Sequence, residues 1–420
     1  MEHRVQNLII GGGLAGCWAA QNLRTFDTES STAIVCGEPH PPYDRPPISK
    51  NLLTNPDMTA DDCYSKFDDY YPKNNIQLLM GQPVTSLDTG ARSARLANGD
   101  TIAFAKALLA TGARARPLSV PGSSRPGVWT LRTVDDGLGL REALAAANTV
   151  AICGAGFIGM EVAGGLAGRG KRVTVIEPSP APWGRLAGAA IGGYLASLLS
   201  SNGIEALFGD EPAAFDGATE NGAVTHVRTK GGKRIEAEVV LAAVGATLNL
   251  DLAVGAGLAK DGDDGVTVDQ SLQTRVPGIF VAGDIALYPD QALQRTVRHE
   301  HFLNAKWQGQ TAGANMAGQN QPFRRVPYFF SDLFDVHAAL RGDPGYAAGA
   351  IVTGDLHGGE FTELRHSGDG TLVAGLVVSH DGDRMDAIAD ALERQIEQRV
   401  NIAARSAEIA APGFDVVSLG

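Results

Sequence analysis

The chain has 420 residues, enough for two or three domains with a large core, and 44% hydrophobic and 20% charged content is ordinary for a soluble globular protein. A formal net charge of −12 argues against general binding of nucleic acid or acidic membranes, since both need basic surface. The four cysteines, Cys17, Cys36, Cys63 and Cys153, have neither CxxC nor CxxxxC spacing, which removes a redox dithiol and a zinc site and leaves buried structural thiols. No run of roughly eighteen apolar residues offers a membrane span, and the chain enters a strand at once without a signal-peptide pattern. A cytoplasmic protein is the expectation.

Val5 to Ile10 reads as a buried strand, followed by Gly11-Gly12-Gly13-Leu14-Ala15-Gly16, a helix from Leu14 to Thr25 and a second strand from Thr32 to Cys36. In such a turn Gly11 permits the sharp bend, Gly13 lets a pyrophosphate approach the backbone, and Gly16 lets the helix pack on its strand. The helix N-terminus, opened by Leu14 and Ala15, offers unpaired N–H groups and positive dipole to phosphates. The pattern recurs at Ala151 to Glu161, with Gly154, Gly156 and Gly159 in the same places and Phe157 and Ile158 opening the helix. Each copy has an acidic residue about twenty positions on, Glu38 and Glu177, placed to accept ribose hydroxyls. Two such sites in one chain imply two dinucleotides, with electrons or hydride moving between them.

A proline-dense segment, 39–50, follows the second strand, and its prolines are expected to exclude regular structure until Ser49. It can hold Arg45 and Lys50 over a ligand, or serve as a rigid surface loop. Its second part, Pro42-Tyr43-Asp44-Arg45-Pro46-Pro47-Ile48-Ser49-Lys50, resembles the PY(D/E)RPPLSK signature of FAD-dependent ferredoxin reductases of the putidaredoxin and rubredoxin reductase type. Three further segments match in order. Ala110-Thr111-Gly112-Ala113-Arg114 is similar to ATGARP, and Gly154 to Ala163 to GAGFIGLEVA. Phe280-Val281-Ala282-Gly283-Asp284 is similar to the YAAGD segment that meets the flavin ribityl chain. The resemblance spans about residues 5 to 345.

That resemblance implies an α/β protein with two Rossmann-like dinucleotide-binding domains, glutathione-reductase-like, plus a C-terminal α+β sheet domain. The expected boundaries are 1–116 and 246–326 for an FAD-binding domain, 117–245 for an NAD-binding domain and 327–420 for the sheet domain. Within the first, Ile76 to Met80 reads as a strand, and the resemblance gives Val84 a backbone contact to adenine. Ser93 to Leu96 and Thr101 to Phe104 form an expected hairpin around Asn98-Gly99-Asp100, with Ala107 to Ala110 a separate buried strand. In the second, Arg172 to Ile176 is a strand ending at Glu177. A carboxylate there accepts a free 2′-hydroxyl and repels a 2′-phosphate, which favours NADH over NADPH, while Arg172 and Arg185 soften that preference. Val239 to Val244 and Gly245 mirror Leu108 to Gly112.

Gly265 to Asp269 and Ile279 to Ala282 read as strands. Arg298-His299-Glu300-His301-Phe302 opens a helix to Met316, whose small residues Ala305, Gly309, Ala312 and Gly313 would admit a flat ligand. By resemblance the helix N-terminus faces the flavin pyrimidine edge, so one of His299 and His301 either meets the flavin or merely caps the helix. No metal constellation surrounds them. After Pro327 come alternating strands at Ala348 to Thr353, Phe361 to Arg365 and Thr371 to Ser379. A terminal helix then carries Met385, Ile388, Ala389, Leu392 and Ile396 on one face. The resemblance implies that Phe330 covers the isoalloxazine, although Phe329 and Phe330 read equally well as sheet core. The wording from Phe329 to Asp335 is closer to relatives of the apoptosis-inducing-factor and monodehydroascorbate-reductase kinds.

The implied chemistry is hydride transfer from NADH to FAD, with Lys50 and Glu161 as catalytic residues. Lys50 would lend positive charge beside the flavin, and Glu161 would pair with it or serve only as a helix-dipole partner. Three readings stay open. One is a reductase of an iron–sulfur ferredoxin serving an oxygenase or P450, docked on Arg295, Arg298, Arg324 and Arg325. Another is a flavoenzyme acting directly on a small organic molecule in a biosynthetic pathway. The third is an NADH-responsive module. A monomer or homodimer is expected.

Overall fold

The computed structural model describes residues 2–66, 69–184 and 186–419. The chain divides into two compact units. The first holds 1–45, 61–114 and 247–325; the second holds 46–60, 115–246 and 326–420. The second-dinucleotide region and the C-terminal sheet thus share one unit, together with half of the proline-rich signature.

The first unit is organised on a sheet whose order is Ile76–Leu79, Thr32–Val35, Glu2–Ile10, Thr101–Leu109, Ser93–Leu96 and Val84–Asp88. Ile10 lies opposite both Val35 and Leu109 in parallel register. Thr101–Leu109 is one continuous strand where the sequence suggests a hairpin arm and a separate buried strand. It serves both roles in succession. Thr101 to Ala103 pair antiparallel with Ser93 to Arg95, whereas Ala107 to Leu109 pair in parallel with Ile279 to Val281. Alternate burial at the start gives way to full burial at Ala107–Leu109, as expected where a strand passes from a sheet margin to its middle. The Leu14–Phe26 helix crosses the Phe302–Met316 helix closely. A Cβ on Gly309 would come 2.3 Å from the Ala15 carbonyl oxygen, and one on Gly313 2.1 Å from that of Ala19. The small-residue stripe of the later helix therefore serves a helix crossing at these two positions, where the sequence suggested room for a flat ligand.

The second unit contains an all-parallel sheet in the order Glu205–Phe208, Arg172–Glu177, Thr149–Cys153, Val239–Ala242 and Val128–Trp129. Its helices are Val134–Ala146, Phe157–Ala167 and Ala189–Ser201. The first begins at a capping box in which Thr133 and Asp136 satisfy each other's backbone N–H groups. The same unit holds an antiparallel sheet in the order Tyr328–Leu333, Val336–Gly342, Leu372–Ser379, Glu360–His366 and Gly349–Asp355. The Gly382–Glu397 helix is capped by Asp381 and buries Met385, Ile388, Ala389, Leu392 and Ile396, the face expected from its periodicity. Val336–Gly342 carries no sequence signal of its own. Leu333 pairs with Val336 across Phe334 and Asp335, and Phe334 has φ +58°, a turn conformation that a bulky residue does not advertise.

One local expectation fails. The prolines do not postpone regular structure to Ser49, because Pro46–Ser49 is itself a short helix. Proline at the first positions of a helix lacks only N–H groups that have no intrahelical partner, and its fixed φ suits the turn. Among the described residues no helix is long and apolar enough to cross a membrane, and no group of three or more His, Cys, Asp or Glu is disposed to hold a metal.

Candidate functional site

In the first unit the glycine turn is closed by the chain itself at two positions and open at a third. Gly11 has φ +121°, and a Cβ there would sit 2.2 Å from the Ala110 oxygen. A Cβ on Gly16 would sit 2.1 Å from the Gly11 oxygen, which brings the helix onto its strand. Gly13, the N-cap of the Leu14–Phe26 helix, would meet nothing within 4 Å and has no side-chain cap. The first-turn N–H groups of Leu14 and Ala15 therefore border an open cradle. Gly283 has φ +84°, and a Cβ there would lie 3.3 Å from the Ala15 methyl group. Its N–H donates to Oε1 of fully buried Gln308 at 2.7 Å. Asp284 is buried beside it, and its carbonyl accepts from Arg298 at 3.1 Å.

Glu38 lies three residues beyond its strand. Its Oε2 accepts from the Tyr43 hydroxyl at 2.5 Å and its Oε1 from Arg45 at 3.0 Å. Arg45 also lies over the Tyr43 ring, 5.2 Å from its centroid. Arg45 therefore belongs with Glu38, while Lys50 falls in the second unit. Val84 is half-buried at the start of its strand, paired with Leu96. Thr111, Gly112 and Arg114 are gathered by Asn249, which sequence reasoning missed. Asn249 donates its backbone N–H to Gly112 and its side-chain amide to Thr111, both at 2.9 Å, and its Oδ1 accepts from Arg114 at 2.9 Å. His301 caps the Phe302–Met316 helix, its Nδ1 accepting from the Leu303 N–H at 3.3 Å. Burial and then the neighbouring His299 push its pKa down to about 3, so it is neutral with its proton on Nε2. His299 Nδ1 lies 2.9 Å from the Tyr288 hydroxyl.

The second unit repeats the plan. Gly154 has φ +109° and a Cβ there would lie 2.3 Å from the Ala243 oxygen; on Gly159 it would lie 2.0 Å from the Gly154 oxygen; on Gly156 it would meet nothing within 4 Å. Glu177 accepts the Ala155 N–H at 2.7 Å and the Ser179 N–H at 2.8 Å. Ile158 is exposed, and Phe157 stacks on Phe329 with centroids 3.4 Å apart and ring planes tilted by 30°. Arg172 is committed to an ion pair with Glu236. Gly245 has φ +98° and accepts from the Arg116 N–H at 3.0 Å. Arg185 lies outside the described residues.

Lys50 and Glu161 meet in this unit. Glu161 stands in the second turn of its helix, not the first. Its two oxygens accept the Ser49 and Ser331 hydroxyls, each at 2.7 Å, and Lys50 Nζ lies 3.6 Å from Oε1. Lys50 also donates to Asp332 at 3.2 Å, and Asp332 receives the His337 Nδ1–H at 2.7 Å. Burial alone would raise the Asp332 carboxyl, but the His337 hydrogen bond and the Lys50 ammonium outweigh it and hold it below the usual carboxylate range. Lys50 Nζ is 5.7 Å from the centroid of the Phe330 ring. Ser49, Ser331, Asp332 and His337 were not singled out from sequence. Ser49 and Ser331 flank recognised residues, and only the contact reveals their common partner.

A family model described as pyridine nucleotide-disulphide oxidoreductase matches residues 5–309. The chain belongs to that family. It is 32% identical over 355 residues to rhodocoxin reductase of Rhodococcus erythropolis, covering 84% of this chain and 82% of that protein. It is 33% identical over 372 residues to the anthranilate 1,2-dioxygenase system ferredoxin–NAD(+) reductase component of Burkholderia cepacia, covering 89% and 90%. A solved covalent putidaredoxin reductase–putidaredoxin complex matches with a TM-score of 0.91 at 27% identity, over 99% of this chain and 98% of that one. All four cysteines are free and buried, and burial pushes the Cys36 and Cys153 thiols up to about 12.

Proposed function

We propose that the protein is an FAD-dependent oxidoreductase that takes hydride from NADH and passes electrons to a small iron–sulfur protein, a reading supported by relatives named rhodocoxin reductase and ferredoxin–NAD(+) reductase component. One observation carries the reading: the chain builds two glycine cradles, each closed by its own backbone at the bend and at the helix–strand contact and open at Gly13 and Gly156, the position at which such turns admit a pyrophosphate. The open cradle at Gly13 fits FAD, which Gly11, Leu14, Ala15, Gly16, Glu38, Arg45, Val84, Ala110 to Gly112, Arg114, Gly283 and Asp284 would hold. When bound, FAD supplies an acceptor for two electrons as hydride and a donor of single electrons. Gly154, Gly156, Phe157, Gly159 and Glu177 would hold NADH.

The chain's part is orientation and electrostatics. Lys50 Nζ lies between the Glu161 and Asp332 carboxylates. Ser49 and Ser331 fix the Glu161 carboxylate, so the ammonium keeps one position. A fixed positive charge favours negative charge developing on a neighbouring ligand ring. Glu177, tied to the turn through Ala155, presents its carboxylate to the NADH ribose and disfavours a 2′-phosphate.

Anaerobic stopped-flow with NADH, followed by cytochrome c reduction with and without an added iron–sulfur ferredoxin, tests the reading. Rapid bleaching of a visible flavin band and ferredoxin-dependent cytochrome c reduction are expected. Turnover of a small organic acceptor at full rate, with no gain from any ferredoxin, would overturn the choice of acceptor.

A further inference from the structure

Trp183 combines three features that the proposed function leaves unused. It has φ +55°, a left-handed conformation uncommon for a bulky side chain. That conformation is over-determined: the Trp183 carbonyl accepts the N–H groups of Leu186 at 2.6 Å and Ala187 at 2.8 Å, and its own N–H donates to the Ala155 oxygen at 3.1 Å. The side chain is only 4% exposed, yet its indole Nε1–H has no hydrogen-bond partner among the described residues. Buried donors without acceptors are rare enough to call for a reason.

The surroundings supply one. Ala155 lies inside the second glycine turn, between Gly154 and Gly156, and its own N–H is held by Glu177. The indole ring packs 4.6 Å from the ring of Phe157, the first residue of the helix behind the turn, and 6.0 Å from that of Phe329. Phe157 and Phe329 are only partly buried, and their rings, 3.4 Å apart at centroid with planes 30° apart, form neither the offset stack nor the edge contact that aromatic pairs prefer. The loop that carries Trp183 is anchored at its far end as well. Gly188 donates its N–H to Oε1 of Glu363 at 3.2 Å, and Glu363 is 1% exposed. A strained, firmly held residue thus carries an unused buried donor next to Ala155 and Phe157, the residues on either side of Gly156.

We propose that Trp183 is part of the dinucleotide site, donating its indole N–H to an oxygen of the phosphate–ribose half of bound NADH that carries the nicotinamide, once the Phe157–Phe329 pair gives way. The inference rests on the reading of the second turn as the NADH site. It concerns affinity: the donor serves ligand binding and takes no part in hydride transfer.

The test is isothermal titration of the oxidised holoenzyme with ADP-ribose and with AMP, and of the steady-state KM for NADH, in wild type and Trp183→Phe. The acceptor oxygens are present in NADH and ADP-ribose, whereas AMP lacks the pyrophosphate linkage. Loss of one hydrogen bond to a charged or ribose oxygen weakens binding on the order of five- to tenfold. The expected result is that rise in Kd for ADP-ribose and in KM for NADH, with AMP affinity and kcat unchanged. Equal affinity of wild type and variant for ADP-ribose, or an equal loss for AMP, would overturn the proposal and leave the indole as packing. Should the variant fail to fold, indole N–H resonances of the wild-type protein decide. A downfield shift of the Trp183 signal on adding ADP-ribose supports the hydrogen bond, and an unmoved signal overturns it. Failure of wild type to bind either ADP-ribose or NADH removes the NADH-site reading and this inference together, whereas wild-type binding with an indifferent variant removes this inference alone.

Discussion

In the first glycine turn Gly11 donates its N–H to Val35, and in the second Gly154 donates to Ile176, so Cys36 and Glu177 occupy equivalent places at the ends of their strands. The two side chains treat the turn differently. Cys36 fills the space beside Gly12, where a Cβ would lie 2.4 Å from its sulfur, while Glu177 reaches under the second turn to hold the Ala155 N–H. Glu38, the first copy's carboxylate, stands two residues further on and is held by Tyr43 and Arg45 from the proline-rich signature. A spacing of about twenty residues makes Glu38 and Glu177 look alike, but the register does not. The first carboxylate is positioned by side chains from outside the turn, and the second is built into the turn.

The comparison breaks most readily at the glycines. Gly11→Ala and Gly154→Ala each force a Cβ into a carbonyl and a non-glycine residue into positive φ, at a cost of about 3 kcal/mol or more, so a large fall in the denaturation midpoint is expected for both. Gly13→Ala and Gly156→Ala should leave stability within about 1 kcal/mol, because the new methyl meets nothing, yet each should cost on the order of a hundredfold in affinity for its own dinucleotide. Equal destabilisation of the open and closed positions, measured by chemical denaturation, would show that the open cradles are packing features.

Next in size is the Lys50 cluster. Lys50→Met and Glu161→Gln should each slow reduction by NADH by about ten- to a hundredfold, as loss of a preorganised charge does, with NADH affinity nearly unchanged. Stopped-flow rates against NADH concentration separate the two quantities.

This cluster also marks the limit of what the sequence makes legible. Strand–glycine–helix units, the signature segment and the terminal helix are written in local order, because each depends on residues a few positions apart. The partners of Glu161 are not: Ser49 and Ser331 lie 112 and 170 residues away, and only folding brings their hydroxyls to one carboxylate. Asn249 gathers Thr111 to Arg114 from 138 residues away in the same fashion. The Val336–Gly342 strand escaped notice because its turn uses Phe334 where glycine or asparagine would have announced it. Pro46 and Pro47 misled because the same ring that breaks a helix interior suits a helix start.

A smaller effect separates the two carboxylates. Glu177→Gln keeps one acceptor for the turn but removes the charge, and should cost about 1 kcal/mol of stability and lower the kcat/KM preference for NADH over NADPH by about tenfold. Arg45→Leu, which leaves Glu38 only its Tyr43 partner, should leave the turn's stability alone and appear only as weaker FAD retention on dilution.

A separate effect, read against pH, concerns His301. Its folded pKa of about 3 lies below the ordinary value near 6.5, so between those limits the unfolded chain binds a proton that the folded chain refuses. Stability should therefore fall as pH drops below about 6.5, by at most ~1.4 kcal/mol per pH unit from this group. His301→Asn, which keeps a cap, should flatten that slope in denaturation curves taken between about pH 7 and 4.

The most direct measurement is an anaerobic NADH titration of the visible flavin band in wild type and Gly156→Ala side by side. Two separate dinucleotide cradles require both proteins to carry flavin, with only the wild type bleached stoichiometrically. A colourless wild-type protein that takes up no FAD, or a Gly156→Ala protein reduced by NADH as readily as wild type, would contradict them.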